Sequence, residues 1–352
     1  MSGAIENRKG EHIEVCLHEN VNAHYNYWDD INLVHKGIPE IDKDEIQTDI
    51  EFLGKKLNHP IFIAAISGGH ELGKKINENC AKAAADIGIG FCIGSQRAIF
   101  EKSELTETYD VIKNYDIPIK ISNIGVSQLV EQKDGKSISM DTIRKLMDMI
   151  NADMLMIHLN YPQEMIQPEG NDKAKGVLKK IEEIAKSYPV IVKECGAGIS
   201  KEVAELLKSA GVKCIEVSGV GGTSWTAVEC HRARMKNIKN KERAGKIFWD
   251  WGIPSPVSVL ECKSVKGVKI IGSGGIRHGL DVARAIVLGA DAASMAKVLL
   301  ADSLEGYESV KQNLENIIEE LRIAMFLTGS RNVEELKKAR YIITGKTKEW
   351  TK

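Results

Sequence analysis

Eight short apolar runs, rich in β-branched residues and alternating with longer segments of helical periodicity, constrain the fold of this chain more than any other feature. The runs fall at 61–66, 89–93, 117–121, 154–157, 190–192, 212–217, 268–271 and 290–295. Helical patterns lie between them at 72–87, about 142–150, 173–187, 201–210, 257–265 and 279–288. Strand then helix, repeated, means parallel pairing, because parallel neighbours need a long crossover. Eight such units predict an α/β fold, a closed (β/α)8 TIM barrel. An open doubly wound sheet is the alternative, since periodicity does not show closure. The expected organisation is one domain: an N-terminal extension (1–60), the barrel core (61–300) and a C-terminal helical segment (301–352). Within the extension, 47–57 is placed to plug or flank the barrel bottom. The stretch 219–252, after strand six, is the longest interruption; its Arg, Lys and Trp content suits a lid or a subunit contact. An amphipathic helix at 304–328 is expected to cover the outer face.

Composition narrows the function. Hydrophobic residues make up 43% and charged residues 28% of 352, enough for a sizeable globular core. A formal net charge of -1 gives no global attraction for nucleic acid, so any anion binding must be local. Cys16, Cys80, Cys92, Cys195, Cys214, Cys230 and Cys262 include no Cys-x-x-Cys pair, which argues against a zinc ribbon, an iron–sulfur ligand set or a disulfide framework. The amino terminus lacks an apolar signal core and no run suits a bilayer span. A cytoplasmic protein without membrane contact is expected.

The fourth run ends abruptly in His158, Asn160, Gln163 and Glu164, bounded by Pro162 and Pro168. The carboxyl end of a barrel strand is where such enzymes keep their chemistry. A core-edge histidine in a polar loop accounts for His158 alone; four such side chains at one strand end exceed what a loop needs. After strand seven comes Gly272-Ser273-Gly274-Gly275-Ile276-Arg277-His278-Gly279 and then a helix. Glycines let backbone N–H groups turn around an anion, the helix adds its positive end, and Arg277 adds a forked charge. A plain glycine turn is the alternative, but loops after strands seven and eight are where barrels most often hold phosphate. Ser294-Met295-Ala296-Lys297 forms the second wall. Small residues after strands one and six leave room for a flat ring, and Ser67, Ser95, Asn123, Ser218 and Thr223 offer uncharged hydrogen bonds. Lys193 brings a cation to the barrel mouth, either for a ligand or for an ion pair with Glu194 or Glu216.

The run His158-Leu-Asn160-Tyr-Pro-Gln163-Glu164, followed by Gln167-Pro168-Glu169-Gly170, resembles the type 2, flavin-dependent isopentenyl diphosphate isomerases. The resemblance extends from Arg8 to about Leu299 with motifs in family order. It implies an isomerase that moves a double bond between isopentenyl and dimethylallyl diphosphate without net redox change, using reduced FMN, Mg2+ and NADPH as flavin reductant. It implies FMN contacts at Ala65, Ile66, Ser67, Ser95, Asn123, Lys193, Ser218, Thr223, Gly274, Gly275, Ile276, Arg277 and Ala296, with Lys297 beside them. The family's usual Met-Thr-Gly-Gly is here Ile66-Ser67-Gly68-Gly69, and Lys297 replaces an apolar residue. Substrate would meet Arg8, Lys9, Ser95, Gln96, Arg97, His158, Asn160 and Gln163. Arg8 and Lys9 read equally as a frayed basic start. Glu164 would hold Mg2+, its alternative being a salt bridge, while Gln163 orients or relays and Lys193 stabilises the electron-rich ring. Trp225 would wall the prenyl tail or pack on the rim. A homotetramer or homo-octamer is implied.

Two other classes compete. An FMN-dependent hydroxy-acid oxidase or dehydrogenase would share the cup and Lys193, but needs a base and arginine over the flavin; no histidine lies between His231 and His278. Barrel nucleotide dehydrogenases need a loop cysteine, and Cys230 lies in a helical-looking run. A non-enzymatic flavin or phosphate binder has no need of Gln163 and Glu164 opposite a basic cluster.

Overall fold

The computed structural model describes residues 4–100, 102–133 and 135–351. Each apolar run forms one strand: β1 Ile61–Ile63, β2 Gly90–Cys92, β3 Lys120–Gly125, β4 Met154–Leu159, β5 Val190–Glu194, β6 Cys214–Glu216, β7 Lys269–Gly272 and β8 Ala292–Met295. All pair in parallel, and β8 closes on β1 through Ala293 opposite Ile61 and Met295 opposite Ile63. Closure excludes the open sheet.

Alternation then sorts side chains between two cores. Phe62, Cys92, Ile121, Met154, Met156, Ile191, Cys214 and Ile271 point into the barrel, and Phe52 and Leu57 join them from below. These two belong to the antiparallel hairpin Ile50–Phe52 with Lys55–Leu57, so the extension plugs the bottom. Phe52 meets Phe62 edge-on at 5.0 Å. Gly90 is small because a Cβ there would stand 2.1 Å from the Phe62 ring. The outward faces form the larger core with the helices.

The six expected crossover helices run Glu71–Ile87, Met140–Ile150, Val177–Ala185, Lys201–Ser209, Ser255–Lys263 and Gly279–Leu288. Ser139 and Ser200 cap two of them through backbone N–H groups. The expected helix at 304–328 is instead Leu300–Glu305 and Tyr307–Thr328, broken at Gly306. Asp302 holds the break by accepting from Ser309 at 2.9 Å and Asn313 at 2.5 Å. The insertion after β6 folds into helices Trp225–Met235 and Lys239–Ile247, and the first of these packs on an N-terminal helix, Ala4–His18. Strand Ile31–Leu33 pairs with Tyr341–Ile343, fastening the extension to the C-terminal segment. Among the described residues, no helix is long and apolar enough to cross a membrane.

Candidate active site

At the carboxyl end of the strands lies a cavity of about 600 Å³, within the range that holds a cofactor. Ala65, Ile66, Ser67, Lys193, Ser218, Thr223, Gly274, Gly275, Ile276, Arg277, Ala296 and Lys297 all line it. Its end at Gly274 and Gly275 is built from backbone. Gly274 and Gly275 adopt φ of 83° and 92°, and a Cβ on either would stand 2.5 Å or less from the Gly219–Gly221 backbone or the Ser255 hydroxyl. Their carbonyls are drawn away from the cavity: Trp28 Nε1 and Ser255 Oγ donate to Gly274 O at 2.8 and 2.6 Å, and Asn26 Nδ2 donates to Gly275 O at 3.0 Å. Neither glycine's N–H, nor that of Ile276, has a partner among the described residues. Such a nest of amides suits a phosphate. The segment Asn22–Trp28 thus covers the cup, a role its sequence did not signal.

Arg277 lines the cavity with its guanidinium already paired. Its guanidinium is engaged by Asp29 at 2.5 Å and by Asp281 at 2.8 Å, and its N–H also donates to Asp281. The forked charge is therefore spent on two carboxylates at the rim. Lys297 is the cation left to the cup: Nζ donates to Asn22 Oδ1 at 2.8 Å, no carboxylate pairs with it among the described residues, and burial lowers its pKa.

Across the floor, Lys193 is buried, lines the cavity and makes the expected ion pair with Glu216. Nζ donates to Glu194 O at 2.6 Å and lies 3.6 Å from Glu216 Oε1, which also accepts from Ser294 at 2.7 Å. Burial alone would lower the ammonium's pKa, but Glu216 leads the charges that raise it, so Lys193 stays cationic. Ser218 holds a φ of 34°, uncommon for a residue with a side chain, at the same wall.

A second pocket of about 110 Å³ shares Lys9, His12, Ala65, Ile66, Lys193, Cys195 and Trp225 with the first. Arg8, Lys9, Ser95, Arg97, Asn123, His158, Asn160, Gln163 and Glu164 line it. The basic start is thus no frayed end; it is the outer wall of this pocket. Burial, then Arg8 and Arg97, lower Lys9 to about 7. His158 packs against Gly125, where a Cβ would stand 3.0 Å from Nε2, and donates from Nδ1 to Asn123 Oδ1 at 2.8 Å. Burial, then Lys9 and Lys193, push it to about 3, so the ring is neutral. Gln96 does not reach the pocket. It is fully buried between β3 and the helix Met140–Ile150, accepting from Ser122 Oγ at 2.5 Å and donating to Leu146 O at 3.1 Å. Those bonds satisfy an amide that would otherwise be stranded in the core.

Glu164 is held by Asn160 Nδ2 at 3.1 Å and by the Asn171 N–H at 2.7 Å, rather than by a cation. Asn160 Oδ1 beside it is a buried acceptor without a partner. Together they fit one carboxylate ligand of a hydrated Mg2+, although the described residues contain no cluster of three or more metal-binding side chains. Gln163 Nε2 donates to Glu229 Oε1 at 3.0 Å, and His12 Nε2 meets the same oxygen at 2.8 Å. Burial would raise the Glu229 carboxyl, but His12 and Arg232 bring it down to about 2. Trp225 lines both cavities and stands edge-on to His12 at 5.2 Å. Sequence reasoning missed His12 and Glu229, whose contact spans 217 positions.

A closed barrel with a cup of unpartnered backbone amides at the edge of a cofactor-sized cavity defines a class, and a sequence model of the FMN-dependent dehydrogenase family matches residues 144–343. The solved structure of a mandelate oxidase variant with an FMN adduct is similar, with a TM-score of 0.62, 20% identity and coverage of 92% of this chain and 91% of that one. A flavocytochrome b2 variant with benzoylformate gives a TM-score of 0.65 at 16% identity, covering 95% and 82%. These likenesses are of fold. Full-length relatives are more specific: an isopentenyl-diphosphate delta-isomerase of Picrophilus torridus is 48% identical over 98% of both chains. The enzyme of that name from Thermoplasma volcanium is 48% identical, covering 98% of this chain and 99% of its own; that from Methanocaldococcus jannaschii is 44% identical, covering 98% and 96%. The chain belongs to the isopentenyl-diphosphate delta-isomerase family.

Proposed function

We propose that this protein interconverts isopentenyl diphosphate and dimethylallyl diphosphate by adding a proton at one carbon and removing one from its neighbour. The observation that carries this reading is the shared wall: Arg8, Lys9 and Arg97 line a pocket that abuts the flavin-sized cavity, and Gln163, in the lining of the same pocket, is held by Glu229. Three clustered cations, of which Arg8 has only a distant carboxylate in Glu169 at 3.8 Å, suit a diphosphate. The amides of Gly274, Gly275 and Ile276 and the ammonium of Lys297 would hold the FMN phosphate, and Lys193 the electron-rich edge of its ring. When bound, reduced FMN supplies acid/base chemistry next to the prenyl group. No electrons are consumed overall.

The protein's own groups orient and hold protons. Gln163 donates to an ionised Glu229, so its amide is fixed and its oxygen accepts from Asn160 Nδ2 at 3.1 Å. A neutral amide is a poor acid, so Gln163 orients the substrate or passes a proton onward to Glu229. Burial lowers the His12 pKa, so the ring is neutral and donates from Nε2 to Glu229, holding that carboxylate in place. Ser95 is oriented by Tyr109, whose hydroxyl donates to Ser95 O at 2.7 Å. Glu164 would take Mg2+, with diphosphate oxygens and water completing the shell. NADPH is the proposed source of flavin electrons and the cytoplasm the proposed compartment. The exposed Met235, Ile247, Phe248 and Trp251 on the insertion support a homotetramer or homo-octamer.

Anaerobic turnover with FMN and Mg2+ tests the proposal. Product formed with dithionite-reduced but not oxidised flavin, without stoichiometric loss of reducing equivalents, is the expected result. Flavin reduction by a hydroxy acid and no isomer would move the chain to the oxidase class.

A further inference from the structure

Arg232 is one of the largest fully buried side chains, yet it lines none of the cavities described above. Three carboxylates from three segments converge on its guanidinium. Glu229, on the same helix, accepts from Nη1 at 2.5 Å; Glu11, on the N-terminal helix, from Nε at 2.8 Å; Glu169, in the loop after β4, from Nη2 at 2.8 Å. Each carboxylate has a second cationic or proton-sharing neighbour. Lys236 lies 3.0 Å from Glu11, Arg8 lies 3.8 Å from Glu169, and His12 and Gln163 share Glu229 Oε1. The contacts with Glu169 and Glu229 therefore reach groups that line the diphosphate pocket.

We propose that Arg232 is a positioning residue that locks the N-terminal helix, the loop after β4 and the insertion helix into one unit, so that Arg8, Lys9 and Gln163 face the diphosphate together. The inference rests on the isomerase reading of the pocket. Its physical basis is competition for Glu169. Arg232 takes Oε1 at hydrogen-bond distance and leaves Arg8 farther away, so the Arg8 charge remains for the ligand. Without Arg232, Glu169 draws Arg8 out of the pocket. Glu229 then keeps His12 and Gln163, and the N-terminal helix loses its anchor through Glu11.

The test uses the FMN-loaded holoenzyme of the unmodified chain, Arg232→Gln and Arg232→Lys, with inorganic diphosphate as probe. Hydrogen exchange of residues 7–18 and the Kd for diphosphate are read beside FMN affinity. Arg232→Gln should raise both exchange and Kd by roughly tenfold while FMN affinity changes less than about twofold. Lysine, a point charge without the fork, should restore part of the loss. Unchanged exchange and Kd in Arg232→Gln, or FMN affinity falling in parallel with diphosphate affinity, would overturn the proposal. Should Arg232→Gln fail to fold, Glu11→Gln removes only the N-terminal arm: the same two increases support the proposal and their absence overturns it. Failure of the unmodified chain to isomerise isopentenyl diphosphate would sink the isomerase reading alone, since neither exchange nor diphosphate binding depends on turnover.

Discussion

Gln163 Nε2 and Glu229 Oε1 stand 3.0 Å apart, joining the loop after β4 to the insertion after β6. Because His12 shares that oxygen at 2.8 Å, a neutral amide at the substrate pocket connects through one ionised carboxylate to an imidazole on the N-terminal helix. Truncation to Gln163→Ala leaves the cations in place and removes the link. Steady-state kinetics with reduced flavin should show kcat falling on the order of 100-fold with KM within about threefold. A rise in KM at constant kcat would make Gln163 a binding residue.

Lys9 gives diphosphate affinity a pH dependence. Free Lys9 titrates at about 7, and a bound diphosphate raises that value, so binding takes up a proton above pH 7. Affinity is fully present below pH 7 and weakens by up to about tenfold per unit as pH rises beyond it. Calorimetry in buffers of different ionisation enthalpy should detect the uptake at pH 8. In Lys9→Met both the uptake and the slope should vanish.

The two cations at the cup should behave oppositely. Lys297→Met removes the charge that no carboxylate claims, and equilibrium titration should show FMN affinity down about tenfold. Arg277→Met should change FMN affinity less than about threefold, because its guanidinium already serves Asp29 and Asp281. Equal losses would return Arg277 to the phosphate.

Gly275→Ala tests the backbone cup. Its φ of 92° and a Cβ at 2.4 Å from Gly221 O combine strain with collision. The cost is expected at about 1–3 kcal/mol from backbone strain alone, read as a lower Tm, with loss of FMN retention on purification. A variant that keeps FMN at an unchanged Tm would contradict the cup.

The barrel was legible because parallel strands covered on both faces read as unbroken apolar runs, whose ends mark the active face. The turn at Gly274 and Gly275 was legible because backbone at positive φ selects glycine. What escaped was carried by long-range pairing. Arg232 and Glu11 lie 221 positions apart and His12 and Glu229 lie 217 apart, and no local pattern records either contact. Gln96 misled because it neighbours two pocket residues while its side chain turns into the protein, and the pairing of Arg277 with Asp29 was hidden by their separation in sequence. The break at Gly306 was hidden by apolar periodicity on both sides.

Solvent isotope labelling tests the central claim most directly. Isopentenyl diphosphate incubated anaerobically in D2O with reduced FMN, Mg2+ and this protein should yield dimethylallyl diphosphate carrying deuterium in the newly formed methyl group, with the flavin absorbance unchanged at the end. Product without solvent deuterium, or flavin converted one for one with substrate, would contradict a proton-transfer isomerase.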